Sequence, residues 1–436
     1  MKSRNERKIN ILLAVFVVVV VISLNISWIG RFVSYHIKFS DMPKVGSPII
    51  TKEDYISDFD YAYDVLKETY PYFEVNKKLS GVDWLANRDK YRAEISKSTS
   101  DSDFYKKMND ILEDLHNGHT HLINEKEGLS YYMIYKINSW GSDLIGELAS
   151  EYEYPTARAR YNINNDTVKE AFKKHDSDDY MDDLSGNEGK SNVQVGDIKK
   201  DLAYIKVNVM QNGPGIEKDE KVILPYLEKI KNYKALVIDI RGNAGGNSSY
   251  YTDFLYPIII DKPYSVKNYL FIRSDRNPKI VDMMGFEKLN EVTIKSFGFP
   301  AQTKDILKDF NFYNHDLEYI KPNKNSIRFK GNIYLLVDKG VYSSAEGMAS
   351  FTKESGLATL VGEKTGGDGI GFDPMQVHLP KTGYVMRYSY SLGTTESGLI
   401  NELEQTRPDI VCSPDTSGPL INQPCIKEIL KREGKI

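Results

Sequence analysis

Two hydroxyl side chains stand where an apolar run ends and a helical pattern begins. Gly331-Asn-Ile-Tyr-Leu-Leu-Val-Asp338 reads as a buried strand, and Val341-Tyr342-Ser343-Ser344-Ala345-Glu346 opens a predicted helix from Ala345 to Lys353. Amides at a helix N-terminus lack intrahelical acceptors and carry positive partial charge, so a serine nucleophile there would sit in a field that favours its oxyanion product. The plainer role of Ser343 or Ser344 is a helix cap. A second island, Asp239-Ile-Arg241-Gly242-Asn243-Ala244-Gly245-Gly246-Asn247, follows the apolar strand Ala235-Leu-Val-Ile-Asp-Ile240. Its glycines let backbone N–H groups approach a ligand, as an oxyanion hole or a phosphate nest requires. The Gly-Lys-Ser/Thr ending of a phosphate loop and the Gly-x-Gly-x-x-Gly spacing are both missing, which disfavours nucleotides. The third island, Leu115-His116-Asn117-Gly118-His119-Thr120-His121-Leu122, holds three of the chain's seven histidines. Zinc, surface imidazoles or a general base are the readings. Gly118 breaks helical presentation and no His-Glu-x-x-His helix occurs, so a general base is favoured and no metal or organic cofactor is expected.

These islands need elements to position them. Asp54 to Tyr70, Val82 to Ser96 and Asp103 to Leu115 each carry an apolar stripe at helical spacing, the third with Ser102 as its cap, and together they predict a helical N-terminal subdomain over 53–124. Residues 125–200 form a connecting region of weak pattern, and the polar stretch Lys174 to Lys190 reads as a solvated loop rather than a calcium loop. From 201 to 436 short buried strands alternate with helices: a strand at Leu202–Val209, a helix at Gly215–Lys231, the strands and helices flanking both islands, and alternating β structure from Met375 to Leu392. That alternation predicts an α/β layered catalytic core.

The 436 residues carry a net charge of −4, with no basic excess of the kind nucleic-acid binding needs. Lys2, Arg4, Arg7 and Lys8 precede an apolar run from Ile9 to about Ile29. Its length suits a membrane crossing, and the cations before it place the N-terminus inside. The reading is a signal-anchor helix over 1–30, a linker over 31–52, and a single-pass cell-membrane protein with its catalytic domain extracytoplasmic; a cleaved signal peptide is the rival. Cys412 and Cys425 could form a disulfide in such a compartment.

In combination the islands resemble the C-terminal processing, or tail-specific, serine peptidase family. Asp239-Ile-Arg-Gly-Asn-Ala-Gly-Gly246 is similar to its Asp-x-Arg-x-Asn-x-Gly-Gly motif. Tyr342-Ser-Ser-Ala-Glu346, with Leu360-Val-Gly-Glu363 and Thr365-Gly-Gly-Asp-Gly369, is similar to its nucleophile helix and the strand beyond. Many members use a lysine base where this chain has Asp368; Lys364 lies nearby but would point elsewhere. The tricorn-core branch, with a histidine base and a distant glutamate, is the nearer likeness. The resemblance implies a crotonase/ClpP-like ββα superhelical core, Ser343 as nucleophile, and His119 as base with His116 and His121 as substitutes. It implies Glu402 as the supporting carboxylate, acting through another side chain or water, with Glu404 competing. It also implies an oxyanion hole from Gly245, Gly246 and Ser344. The expected substrate is a peptide or protein and the expected activity is serine endopeptidase; oligomeric state is left open. A peptide-binding module between helices and core is expected to be absent. Two alternatives remain: an inactive relative binding peptides in the same groove, and a metal-dependent hydrolase built on the histidines.

Overall fold

The computed structural model describes residues 41–139, 143–175 and 191–435. The apolar runs read as buried strands assemble side by side. Strand order in the principal sheet is Ile410–Val411, Thr359–Gly362, Asn332–Val337, Ala235–Asp239, Leu202–Val207 and Val193–Lys199. The first five run parallel and the last antiparallel. Ala235–Asp239 is buried along its whole length, as a parallel strand covered on both faces must be. One face packs on helix Gly213–Ile230 and on the serine helix Ser344–Ser355, through Ile223, Leu227, Met348 and Phe351. The other face is covered by helix Pro424–Arg432 through Ile426, Ile429 and Leu430. A disulfide joins Cys425, at the start of that helix, to Cys412 beside the edge strand.

Among the described residues two further sheets flank the site. A three-stranded antiparallel sheet pairs His121–Leu122 with Val385–Tyr388 and then Met375–His378. A four-stranded sheet orders Leu392–Thr395, Tyr264–Ile272, Phe312–Ile320 and Glu287–Lys288. The N-terminal helices bury Phe59, Leu66, Trp84, Ile95, Phe104 and Leu112 in one cluster that also holds Phe271, Val385 and Leu392. The helical region is thus packed onto the strands that carry half of the site.

Helices Lys52–Thr69 and Asp101–Glu113 lie close to their expected positions, but the second helix is shorter, a 3-10 turn Leu85–Asn87 leading into Arg88–Ile95. Ser100, not Ser102, caps the third, accepting from the amide of Asp103, and the helix Phe73–Ser80 was not foreseen. Residues 128–175, without a clear pattern in sequence, form four helices, Gly128–Asn138, Asp143–Ser150, Pro155–Arg160 and Asn165–His175. Strand Val193–Lys199 joins the principal sheet from within the stretch assigned to the connecting region. The helix expected from Ser248 begins as a π-helical turn, Tyr250–Leu255. The signal-anchor expectation for 1–30, residues 31–40 of the linker and the greater part of the Lys174–Lys190 loop lie outside the described residues. Among the described residues no helix is long and apolar enough to cross a membrane.

Candidate active site

Ser343 occupies the sharp turn between strand Asn332–Val337 and helix Ser344–Ser355. Its backbone takes φ 56 and ψ −129, and its side chain makes no capping hydrogen bond. A cap would have an ordinary extended backbone and would accept from the helix amides; Ser343 does neither. Positive φ at a residue with a Cβ stores on the order of 1–3 kcal/mol. The surroundings impose it: Tyr342 N–H donates to Asn243 O (3.2 Å), and Gly347 N–H returns to Ser343 O (2.9 Å). The strain turns the hydroxyl out of the helix and toward an imidazole.

That imidazole is His119. Its Nε2 lies 3.0 Å from Ser343 Oγ, although 224 positions separate them in sequence. Two local features place it. Two residues on, His121 pairs with Arg387, which fixes the segment to the three-stranded sheet, and Asn117 Oδ1 accepts from the His119 amide at 3.2 Å. The other ring nitrogen, Nδ1, lies 2.7 Å from Asp368 Oδ2. A carboxylate at Nδ1 assigns the proton to that nitrogen and leaves the Nε2 lone pair facing the serine.

Asp368 collects further donors. Tyr72 donates to Oδ1 (2.7 Å), while Asn117 Nδ2 and Ser389 Oγ each donate to Oδ2 at 2.8 Å. Burial alone would raise this carboxyl, but the imidazole and these hydrogen bonds outweigh it and hold Asp368 well below the usual carboxylate range. The loop bearing it is fixed to the nucleophile turn by a bridge between Tyr342 and Gly367. Asp368 occupies the position where many members of the resembling family place a lysine; here it supplies the carboxylate that touches the histidine.

Glu402 stands one residue further away. Its Oε1 accepts from Asn117 Nδ2 at 3.1 Å, and the same Nδ2 reaches Asp368, so Asn117 separates the glutamate from the imidazole. Burial, then the charge of Asp368, pushes Glu402 well above the usual carboxylate range, whereas Asp368 is held below it. The anionic partner of His119 is therefore Asp368. Glu404 lies at the surface, paired with Arg407. His116 turns to Asn76 and the Asp114 carbonyl, and His121 is pushed down to about 4 by burial and Arg387. Lys364 is exposed.

The glycine island divides its labour. Asp239 and Arg241 form a buried pair, Nη2 to Oδ2 at 2.6 Å, that holds the turn after its strand. Asn243 shapes the loop by accepting the Gly245 amide at 2.9 Å. Gly245 N–H, expected in the oxyanion hole, is thus already committed. The amides of Gly246 and Ser344 make no hydrogen bond among the described residues, and both residues line a cleft of about 740 Å³ with His119 and Ser343. Gly245 serves by its lack of a side chain: at φ 107, a Cβ there would come 2.8 Å from Ser343 Cβ.

The model of peptidase family S41 matches residues 201–412, which contain the glycine island, the serine turn, Asp368 and Glu402. Over this core the chain matches peptidase family S41. It is accordingly a serine peptidase, a hydrolase, with a mixed α/β fold. His119, Asn117 and Tyr72 come from the helical region ahead of the matched segment, which is why sequence motifs of the core alone do not complete the site. No curated protein sequence matches significantly. The fold is similar to mature CPAF complexed with lactacystin, at a TM-score of 0.54 and 13% identity over 88% of this chain and 98% of that one. It is also similar to a candidate peptidase from Parabacteroides merdae ATCC 43184, at a TM-score of 0.53 and 15% identity over 88% and 97%.

Of the residues gathered at this site, Ser343, His119, Gly245, Gly246, Ser344 and Glu402 are sequence candidates; Asp368, Asn117, Tyr72 and Ser389 are added by the structure. A usable signal existed for Asp368, a lone acid in a glycine-rich loop directly after a buried strand. Glu346, in the first turn of the serine helix, is a further buried carboxyl. Its Oε1 accepts from Asn401 (2.7 Å) and Thr406 (2.6 Å), and burial pushes it up to about 7. A carboxyl raised on folding favours the native state below its unfolded value near 4.5 and loses that advantage as pH climbs through about 7. Glu346→Gln, measured by urea unfolding from pH 4 to 8, is expected to flatten this loss, which is on the order of 3 kcal/mol.

Proposed function

We propose that the chain is a membrane-anchored, extracytoplasmic serine endopeptidase with Ser343 as nucleophile, His119 as general base and Asp368 as the carboxylate that orients it. The observation that carries this reading is the line Ser343 Oγ to His119 Nε2 at 3.0 Å and His119 Nδ1 to Asp368 at 2.7 Å. Both distances are within proton-transfer reach before any substrate arrives. His119 takes the hydroxyl proton as Ser343 attacks the peptide carbonyl, and the imidazolium so formed is balanced by anionic Asp368. The tetrahedral oxyanion accepts from the Gly246 and Ser344 amides, each such donor contributing about 3 kcal/mol to lowering the barrier. His119 then protonates the leaving amine, and water, activated by the same imidazole, releases the acyl group from Ser343.

Support for the location comes from the cationic, then apolar, N-terminal sequence and from the Cys412–Cys425 disulfide, which suits an oxidising compartment. Strand–helix succession around the principal sheet suits a crotonase/ClpP-like ββα core. Incubating the full chain in detergent with an unfolded protein substrate, and sequencing the products by mass spectrometry, tests the activity. Internal cuts that vanish in Ser343→Ala are expected. Equal cutting by that variant, or removal of terminal residues only, would refute the endopeptidase reading. Carbonate extraction of expressing cells checks the anchor, with the chain expected in the membrane pellet.

A further inference from the structure

The cleft runs from Ser343 onto one face of the antiparallel pair Tyr264–Ile272 and Phe312–Ile320. In that register Asn268 stands opposite Asp316, and Glu318 projects on the same side two residues further along. All three line the cleft. Its lining includes five carboxylates, Glu127, Asp316, Glu318, Asp368 and Asp373, and no lysine or arginine. Asp368 is hydrogen-bonded to His119, and Asp373 feels the buried Arg387. Asp316 and Glu318 form no ion pair with a lysine or arginine among the described residues; Glu318 faces the Tyr251 hydroxyl and the like charge of Asp316, and Asp316 feels His315.

A second observation is independent of charge. Asn268 is only 6% exposed, and its Oδ1 has no hydrogen-bond donor. Glu318 Oε1 is likewise closed from solvent without a donor. Buried acceptors left unmatched lose the hydrogen bonds that water would give them, so a ligand that brings donors is favoured here. Burial also raises Glu318 to about 7, the mark of a carboxylate lacking its counter-charge. Alternate residues on a strand stand about 7 Å apart, so one side chain can be reached from both Asp316 and Glu318. A guanidinium offers five N–H groups and an ammonium three to such a set, whereas calcium takes six or more oxygens. Tyr251 ties this face to the nucleophile: its hydroxyl lies 3.2 Å from where a Cβ on Gly347 would stand, one turn along the serine helix from Ser343.

We propose that Asn268, Asp316 and Glu318 form the specificity subsite of the cleft, taking the cationic side chain of a lysine or arginine in the peptide that lies across Ser343. The proposal rests on the peptidase reading for the word substrate, but binding tests it separately from hydrolysis. Two fluorescein-labelled decapeptides of alanine are compared, one with central arginine and one with citrulline, which keeps the shape and removes the charge. Binding to the full-length Ser343→Ala chain in detergent is followed by anisotropy, and cleavage by the wild-type chain is followed by mass spectrometry. Arginine is expected to be favoured at least tenfold in binding and in kcat/KM. Glu318→Gln and Asp316→Asn should each bring that ratio toward one. Glu318→Lys should turn the preference toward a glutamate peptide, a gain that misfolding cannot produce. Equal binding of the arginine and citrulline peptides, no binding of either, or a preference untouched by Glu318→Lys overturns the subsite. Charge-dependent binding with no cleavage by the wild-type chain leaves the subsite standing and removes the peptidase reading instead. Discrimination that requires a free N-terminal amine, with no response to arginine, overturns it in favour of an amine-end site.

Discussion

Asp368→Asn is expected to lower kcat for peptide hydrolysis by about 10³- to 10⁴-fold with little change in KM. Asparagine fills the same space, so binding should persist. What changes is the proton. The carboxylate accepts from Nδ1 and thereby leaves Nε2 unprotonated toward Ser343 at 3.0 Å. An amide NH₂ in the same place donates instead, favours the opposite tautomer, and presents an N–H to the nucleophile that should lose its own proton. The counter-charge for the imidazolium disappears as well. Glu402→Gln provides the contrast. Burial and the charge of Asp368 raise that carboxyl, which favours its neutral form, and its side chain reaches the imidazole only through the bridging Asn117. An isosteric neutral group should therefore cost less than about tenfold in kcat. Steady-state kinetics on one peptide across pH 6–9 checks both, and equal large losses would show that Glu402 carries charge that we assign to Asp368.

Gly245→Ala is expected to lower activity sharply by a route that changes no catalytic side chain chemically. Gly245 has φ 107, a conformation that residues with a Cβ rarely adopt. The new methyl would meet Ser343 Cβ at 2.8 Å, Tyr342 O at 2.9 Å and Ser344 N at 3.0 Å. Those are the atoms of the nucleophile turn itself. Relief requires either the turn or the glycine loop to move by several tenths of an ångström, which separates Ser343 from His119 or opens the pair of amides. Displacements of that kind cost about 10²-fold or more in rate, and loss of one oxyanion donor costs a similar amount again. Gly242→Ala is the control, because Gly242 also has positive φ, 76, but nothing lies within 4 Å of its Cβ position. It should lose about 1–2 kcal/mol of stability and keep kcat within severalfold. Unfolding midpoints and kinetics on the two variants separate strain from collision.

The serine turn was legible because its chemistry is local: an apolar strand, hydroxyls and a helix start lie within about fifteen residues of sequence. His119 was legible from its glycine neighbour and from resemblance. Asp368 was not, because its function depends on where a loop after strand Thr359–Gly362 returns in space, and motif matching drew attention to the lysine it replaces. Glu402 was found by spacing to Pro408-Asp409, yet spacing carries no information about Asn117 standing between it and the imidazole. Gly245 and Gly246 looked alike in sequence; only the Asn243 side chain distinguishes their amides. The parallel strands were readable as continuous apolar runs. Strands Tyr264–Ile272 and Phe312–Ile320 were missed because charged and polar residues of their cleft-facing and solvent-facing sides interrupt the alternation. The short helices of 128–175 were missed for a related reason. Their tyrosines and alanines pack through tertiary contacts, not through one apolar stripe, and the helices that start at Gly128 and Pro155 have no side-chain cap to announce them, although Asn164 accepts from the Asp166 and Thr167 amides at the start of the last.

The relation between Ser343, His119 and Asp368 is tested most directly by the rate at which a fluorophosphonate labels the chain, with the adduct mapped by peptide mass spectrometry. That relation requires one adduct, on Ser343, absent in His119→Ala and formed about a thousandfold more slowly in Asp368→Asn. Labelling of another residue, or of Ser343 at an unchanged rate in His119→Ala, would contradict it.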